Sequence, residues 1–212
     1  ARTVLIGEGG ADPDSIVETD SPSEAEDALR NNKRVVTGNS TMASSVESVD
    51  IVTDVTPSPA SGAEVAFAAI GKGKPVVLIN IEADVTVGPA LKHYAGKEGV
   101  MYTVSSGDEP GCLMELWDFV RCLGYEPIVI GKGKNNPMNP DATPDTVRES
   151  AEKADKDPFQ VASYVDGTKT MFEMSCVANT TGCRPMQAGM VGPEADTKTV
   201  TEIFALKEDG GI

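Results

Sequence analysis

A chain of 212 residues is long enough to bury a substantial core, as one domain or as one domain with a smaller partner. Its formal net charge of −15 excludes nucleic acid as the expected partner, because phosphate contacts need clustered Lys and Arg. No apolar run approaches the length of a membrane-spanning helix and no signal-peptide pattern opens the chain, so the expectation is a cytoplasmic protein with no membrane partner.

The opening TVLIGEGG reads as four strand-forming residues running into Gly7, Gly9 and Gly10, the way a dinucleotide-binding domain begins. A full GxGxxG fingerprint needs glycine at position 12, which is Asp12, and the ADPDS that follows is turn-like. The stretch is therefore not read as a pyrophosphate loop. SIVETD is a strand; SPSEAEDALRNNK is a helix capped by Ser21 or Ser23 with Pro22 in its first turn; RVVTG is a second strand. VDIVTDV is a third, leading through Thr56-Pro57-Ser58-Pro59 into the helix GAEVAFAAIGKGK. PVVLIN has the near-continuous apolar run of a strand buried on both faces of a parallel sheet. The helix VGPALKHYAGKEG and the strand VMYTVSSG complete the alternation, which predicts an α/β fold with a Rossmann-type, doubly wound parallel sheet. Ligands in such sheets sit beyond the carboxyl ends of the strands, which places residues 56–61, 80–84 and 105–111 along one rim.

The second part has a different texture. GCLMELWDFVRCLG predicts an amphipathic helix burying Leu113, Leu116, Trp117, Val120 and Leu123. EPIVIGKGKNNP reads as a strand that breaks into a basic loop, ATPDTVRESAEKADKDP as charged surface, YVDGTKTMFEMSCVANTTG as a helix closing on Gly182, and TVTEIFALKEDGG as a last strand. The expected organisation is residues 1–111 as the nucleotide-binding domain and 112–212 as an α+β catalytic or substrate domain. Cys112, Cys122, Cys176 and Cys183 form no CxxC pair and His93 is remote from them, which argues for reduced, mostly buried thiols and against zinc. His93 falls on an exposed helix face.

Three constellations carry chemistry. GDEPG, residues 107–111, closes a strand and opens a helix; it is either a capped connection or a backbone shelf beside a nicotinamide ring. GKGKNNP, residues 131–137, offers Lys132, Lys134, Asn135 and Asn136 to an anionic or polyhydroxylated substrate, although an exposed polar loop would look the same. In DGTKTMFEMSCVAN, Asp166, Lys169 and Glu173 fall near one helix face. Buried against a cleft, such a pair holds a lysine poised for proton transfer; on an exposed helix it contributes only a few tenths of a kcal/mol.

PVVLINIEADVTVGP, YTVSSGDEPGCLMELWDFVRCLGYEPIVIGKGKNNP and YVDGTKTMFEMSCVANTTG, in that order, resemble the homoserine-dehydrogenase-like oxidoreductases that carry a C-terminal SAF domain. The branch they are most similar to is the deoxyxylulose-phosphate-reductoisomerase-like, or DRL, enzymes, over about residues 50–212. The resemblance implies an oxidoreductase or reductoisomerase using NADP or NAD on a small phosphorylated metabolite, in isoprenoid-precursor synthesis for the DRL branch. It implies Lys169 as general acid or base with Glu173 and Asp166 setting its charge, and Lys132, Lys134, Asn135 and Asn136 as substrate ligands. Thr56, Pro57, Asn80, Glu82, Gly107, Glu109 and Pro110 would line the nicotinamide half of the cofactor. A divalent metal would draw on carboxylates such as Glu109 and Glu173.

Homoserine dehydrogenases proper pair Asn with Lys where this chain has Asn80 and Ile81, and space their catalytic Asp and Lys in the opposite order to Lys169 and Glu173. Homoserine dehydrogenase and a non-catalytic metabolite-binding relative are the alternatives. The resemblance further implies a first β–α unit upstream, a SAF domain downstream, and a homo-oligomer.

Overall fold

The computed structural model describes residues 2–212 and divides into two compact units, residues 1–105 and 106–212. The boundary falls ahead of the expected 111/112. The helix that opens at GDEPG packs on a later helix of the second unit and so belongs there.

The first unit runs α1 (Arg2–Gly7), β1 (Ile16–Glu18), α2 (Pro22–Arg30), β2 (Arg34–Val36), α3 (Met42–Ser45), β3 (Val52–Asp54), α4 (Pro59–Gly71), β4 (Val76–Leu78), α5 (Ile81–Glu98) and β5 (Tyr102–Val104). Every strand pairing is parallel. β1 pairs β2, with Val17 opposite Val35; β3-β4-β5 form a second group, with Thr53 opposite Val77 and Val77 opposite Thr103. The fold is thus a mixed helix and parallel-sheet α/β arrangement, in two small sheets rather than the one continuous sheet expected.

Local chemistry explains the elements. Ser21 and Ser58 accept from the third residue of α2 and α4, each followed by Pro at the first helical position, and Asn80 does the same for α5 from the Ala83 amide. Gly99 closes α5 at φ +69°, a conformation that suits glycine. The core forms where Val52, Val76 and Leu78 of the strands meet Val65, Ala66, Ala69 and Ile70 of α4 and Leu91 and Ala95 of α5. Alanine at the contact lets α4 come close. At Gly62 the approach is closer still: a Cβ there would stand 2.5 Å from Asn80 Nδ2 and 2.6 Å from Asp54 Oδ2. Lys74 reaches across to the carbonyls of Val46 and Val49 and fixes the segment ahead of β3.

TVLIGEGG is helical, not a strand. The amides of Glu8 and Gly9 both bond the Val4 carbonyl, and Gly10 at φ +59° turns the chain away. Its glycines end a helix, and only Leu5 and Ile6 of its apolar side chains half-bury.

The second unit contains α6 (Glu109–Cys122), α7 (Pro144–Lys153), α8 (Pro158–Val165), α9 (Thr168–Thr181) and α10 (Val200–Ile203), and no strand among its described residues. Both strands expected there are corrected. Residues 126–130 are irregular, with Ile128 and Val129 exposed, because no neighbouring segment completes a ladder; TVTEIF forms α10. The helix α8 was not foreseen. Of the face expected to be buried on α6, Leu113, Trp117 and Val120 half-bury while Leu116 and Leu123 are exposed. The thiols are free, as expected, but Cys112 and Cys122 are exposed and only Cys176 is buried. His93 is exposed on α5. Among the described residues no helix is long and apolar enough to cross a membrane.

Candidate active site

Gly107, at φ +90°, turns the chain into α6 and sets Asp108 at the helix N-cap, Glu109 at the first position and Pro110 buried behind it. α9 presents Lys169 and Glu173 one turn apart, and the irregular stretch after α6 supplies Lys132. These five side chains, all in the second unit, form one cluster. Lys132 Nζ donates to Glu109 Oε1 at 2.8 Å and to Glu173 Oε2, bridging the two carboxylates. Lys169 Nζ lies 3.4 Å from Glu173 Oε1, an ion pair in which that oxygen has no hydrogen-bond geometry. Carboxylate oxygens of Asp108, Glu109 and Glu173 all lie within 4.8 Å of one another.

Burial gives this cluster its character. Glu173 is 1% exposed and the Lys132 side chain 16%, whereas the Glu109 side chain is half exposed at 49%. A carboxylate this deep requires compensation, and two ammonium groups provide it. The Lys132 hydrogen bond holds the Glu109 carboxyl down at about 2, well below its ordinary value. Burial, then the hydrogen bond with Glu109, raises the Asp108 carboxyl, whose buried Oδ2 has no partner in the protein. The two adjacent carboxyls are thus driven apart, Asp108 above its ordinary value and Glu109 below it. Burial would lower the Lys132 ammonium, but its bonds to Glu109 and Glu173 outweigh that and raise it.

The other sequence candidates lie around α8 and at the ends of β3 and β4. Lys134 and Asn136 both donate to the Tyr164 carbonyl at the end of α8, and Lys134 also bonds Asn136 Oδ1 at 2.8 Å; Asn135 is exposed. Asp166 accepts from the Thr168 amide at 2.7 Å at the joint between α8 and α9. In the first unit Asn80 Nδ2 donates to the Ser58 carbonyl (2.9 Å) and Thr56 Oγ1 (3.3 Å), so these residues brace the carboxyl ends of β3 and β4. Pro57 is exposed and Glu82 half-buried in the first turn of α5.

Sequence reading missed Asp108, whose role depends on burial, and the rim at the ends of β1 and β2. There Arg2 pairs with Glu18 at 3.6 Å, and Asp20 accepts from Thr37 Oγ1 (2.6 Å) and the Gly38 amide (2.9 Å). An acid ending a strand was the available signal.

Comparison with known proteins assigns the class: the second unit is an oxidoreductase catalytic domain. The family model described as "Oxidoreductase DRL, catalytic domain" matches residues 107–212, half of the chain, and the chain belongs to that family. No curated protein matches. A solved structure of the "putative oxidoreductase yvaA" of Bacillus subtilis is similar at 17% identity and a TM-score of 0.41, over 84% of this chain and 48% of that one. The chain thus spans about half the length of that relative.

Proposed function

We propose that the chain acts in an NAD(P)H-dependent oxidoreductase or reductoisomerase that reduces a carbonyl of a small, polar, phosphorylated metabolite, as in DRL-type isoprenoid-precursor synthesis. The observation that carries this reading is the buried Glu173, bridged by Lys132 and faced by Lys169. When bound, the nicotinamide supplies a hydride to the carbonyl carbon. The Lys169 ammonium gives its proton to the carbonyl oxygen, so the product is an alcohol, and Lys169 regains its proton from solvent. Lys132 stays charged between Glu109 and Glu173 and fixes Glu173 beneath Lys169.

The first unit supports nucleotide binding in donor chemistry. Glu18 and Asp20 end β1, suited to ribose hydroxyls, and Arg2 beside them suits a phosphate. Asp108, Glu109 and Glu173 also fit a hard divalent cation, being convergent oxygen donors. Such a cation would enter by displacing the Lys132 ammonium from two of the three carboxylates.

Nicotinamide fluorescence titrations with NADH and NADPH, paired with single-turnover reduction of candidate sugar phosphates and with homoserine oxidation, test the reading. Lys169→Met should lower turnover by about 10²–10⁴-fold while cofactor affinity holds. Wild-type turnover in that variant refutes the assignment of Lys169, and absence of nicotinamide binding refutes the activity.

A further inference from the structure

The C-terminal ends of α6 and α9 come together around an open depression of about 570 Å³, wholly within the second unit. Trp117 and Arg121 of α6, Thr181 at the end of α9, and Tyr125 and Glu126 beyond α6 line it. Its volume is that of a small-molecule site. Gly124 at φ +86° and Gly182 at φ +77° follow the two helices there, and a Cβ on either would meet nothing within 4 Å, so the space over both is open. The charged cluster draws instead on the N-terminal halves of the same helices. About 18 Å of helix separates Glu109 from Arg121.

Three kinds of group in this depression are uncommitted. Arg2, Arg30 and Arg148 each hold a carboxylate, which a chain with 33 Asp and Glu against 18 Lys and Arg readily supplies. Arg121 pairs with no acid among the described residues; its guanidinium lies over the Trp117 ring, 5.9 Å from the centroid. Stacking holds a guanidinium by its face and leaves its N–H edge free for a carboxylate. Glu126 lines the same depression and has no ion-pair partner among the described residues. The Tyr125 amide is held by the Val120 carbonyl at 3.3 Å while the residue is 69% exposed, so a fixed backbone presents an open ring. Thr181 is occupied: its hydroxyl donates to the Val177 carbonyl at 2.8 Å and accepts from the Cys183 amide at 3.2 Å. The carbonyl ends of the two helices add a preference for positive charge.

We propose that this depression is a binding site for an aromatic α-amino acid. The ligand's carboxylate takes the free N–H edge of Arg121, its ammonium lies with Glu126 and the carbonyl ends of the helices, and its ring packs on Tyr125. A simple anion would meet Glu126 and two helix C-termini, and a simple cation would meet Arg121. A zwitterion satisfies both charges, and the aromatic lining selects a ring between them. Neither Arg121 nor Glu126 belongs to the cluster of Lys132, Lys169 and Glu173, so the site is additional to the proposed reaction and does not rest on it.

The test is titration of the 212-residue chain with L-phenylalanine, read by the emission and the indole N–H resonance of Trp117, the single tryptophan. Binding should saturate with a dissociation constant on the order of 1 mM, as suits a small ligand in an open site. Alanine, phenylpropionate and phenethylamine each lack one of the three groups and should bind about tenfold more weakly or worse. Arg121→Gln should weaken L-phenylalanine and phenylpropionate by about tenfold and leave phenethylamine unchanged; Glu126→Gln should do the reverse. Both side chains are exposed, so the variants should keep the wild-type urea midpoint, and the ligand series on the wild type decides the matter without them. No saturable change below about 20 mM overturns the proposal. Phenylpropionate or phenethylamine binding as tightly as L-phenylalanine overturns the zwitterion, and equal affinity in both variants overturns the location. Turnover enters none of these readouts, so the site stands or falls apart from the proposed activity.

Discussion

Replacing Lys132 by Met keeps most of the side-chain volume and removes the ammonium that bridges Glu109 and Glu173. Glu173 is 1% exposed, so its charge cannot be passed to water. Stripping one partner from a buried ion pair costs about 3–5 kcal/mol; Lys169, 3.4 Å from the other oxygen, retains part of the compensation and sets the expectation at about 3 kcal/mol. The half-exposed Glu109 adds less than about 1 kcal/mol. For a unit of this size the loss corresponds to a fall of roughly 12–24 °C in Tm. Trp117, the single tryptophan, lies on α6, so its fluorescence in urea reports the second unit alone. The double variant Lys132→Met/Glu173→Gln should recover about 2 kcal/mol, since it leaves no charged carboxylate buried at position 173. The pH dependence has a fixed sign. Glu109 sits at about 2 against an ordinary 4.5, so its pairing with Lys132 stabilises above pH 4.5 and is lost as pH falls towards 2. The gap between wild type and variant therefore narrows over that window. Lys132, raised above 10.5, contributes fully below that value and loses its contribution as pH climbs past it. A variant within about 0.5 kcal/mol of wild type at pH 7 would refute the claim that Lys132 compensates a buried carboxylate.

Three further expectations concern other parts of the chain. Gly62→Ala forces a methyl to 2.5–2.6 Å from Asn80 Nδ2 and Asp54 Oδ2 and should cost the first unit about 1–3 kcal/mol, read by amide exchange of β3 and β4. Lys134→Met removes a donor from the Tyr164 carbonyl and should lower stability by about 1–2 kcal/mol while leaving KM for substrate within twofold; a large rise in KM would restore Lys134 as a substrate ligand. Glu26 is held at about 2 chiefly by the Ser48 hydroxyl, and Glu26→Gln should lower Tm at pH 7, with the difference vanishing between pH 4.5 and 2; persistence at pH 2 would show another cause.

The first unit was largely legible because its signals are local. Ser-Pro caps start helices, β-branched runs bounded by turns make strands, and PVVLIN carries the imprint of burial on both faces. What failed was whatever depended on a neighbour. PIVI in residues 127–130 has strand composition, but pairing is a property of two segments, and here no second segment meets it. TVLIGEGG has strand composition too, yet three glycines within four residues leave it only a short helix to close. The amphipathic periodicity of α6 indicated the helix but overstated its covered face, because Leu116 and Leu123 are exposed while Leu113, Trp117 and Val120 half-bury. At the site, the Lys169–Glu173 pair followed from helical spacing, whereas the bridge from Lys132, 41 residues away from Glu173, did not. Lys132 and Lys134 look alike in sequence; contact alone makes one part of the charged cluster and the other a clamp on Tyr164.

That division bears on how the chemistry is built. The compact unit begins at residue 106 and the family match at residue 107, so a structural criterion and a sequence criterion cut the chain at the same place. Every member of the charged cluster lies after the cut: two acids on the first turn of α6, one lysine on a loop, and a lysine and a glutamate on α9. The contact between α6 and α9 is the packing that brings the acids to the pair, and Lys132 is the charge that makes this approach of three carboxylates stable. In the proposed reaction, proton handling is thereby internal to the second unit. The dependence on Lys132 follows directly: the same ammonium that lets Glu173 be buried holds it under Lys169, so the residue that stabilises the unit is also the one that positions the proposed proton donor.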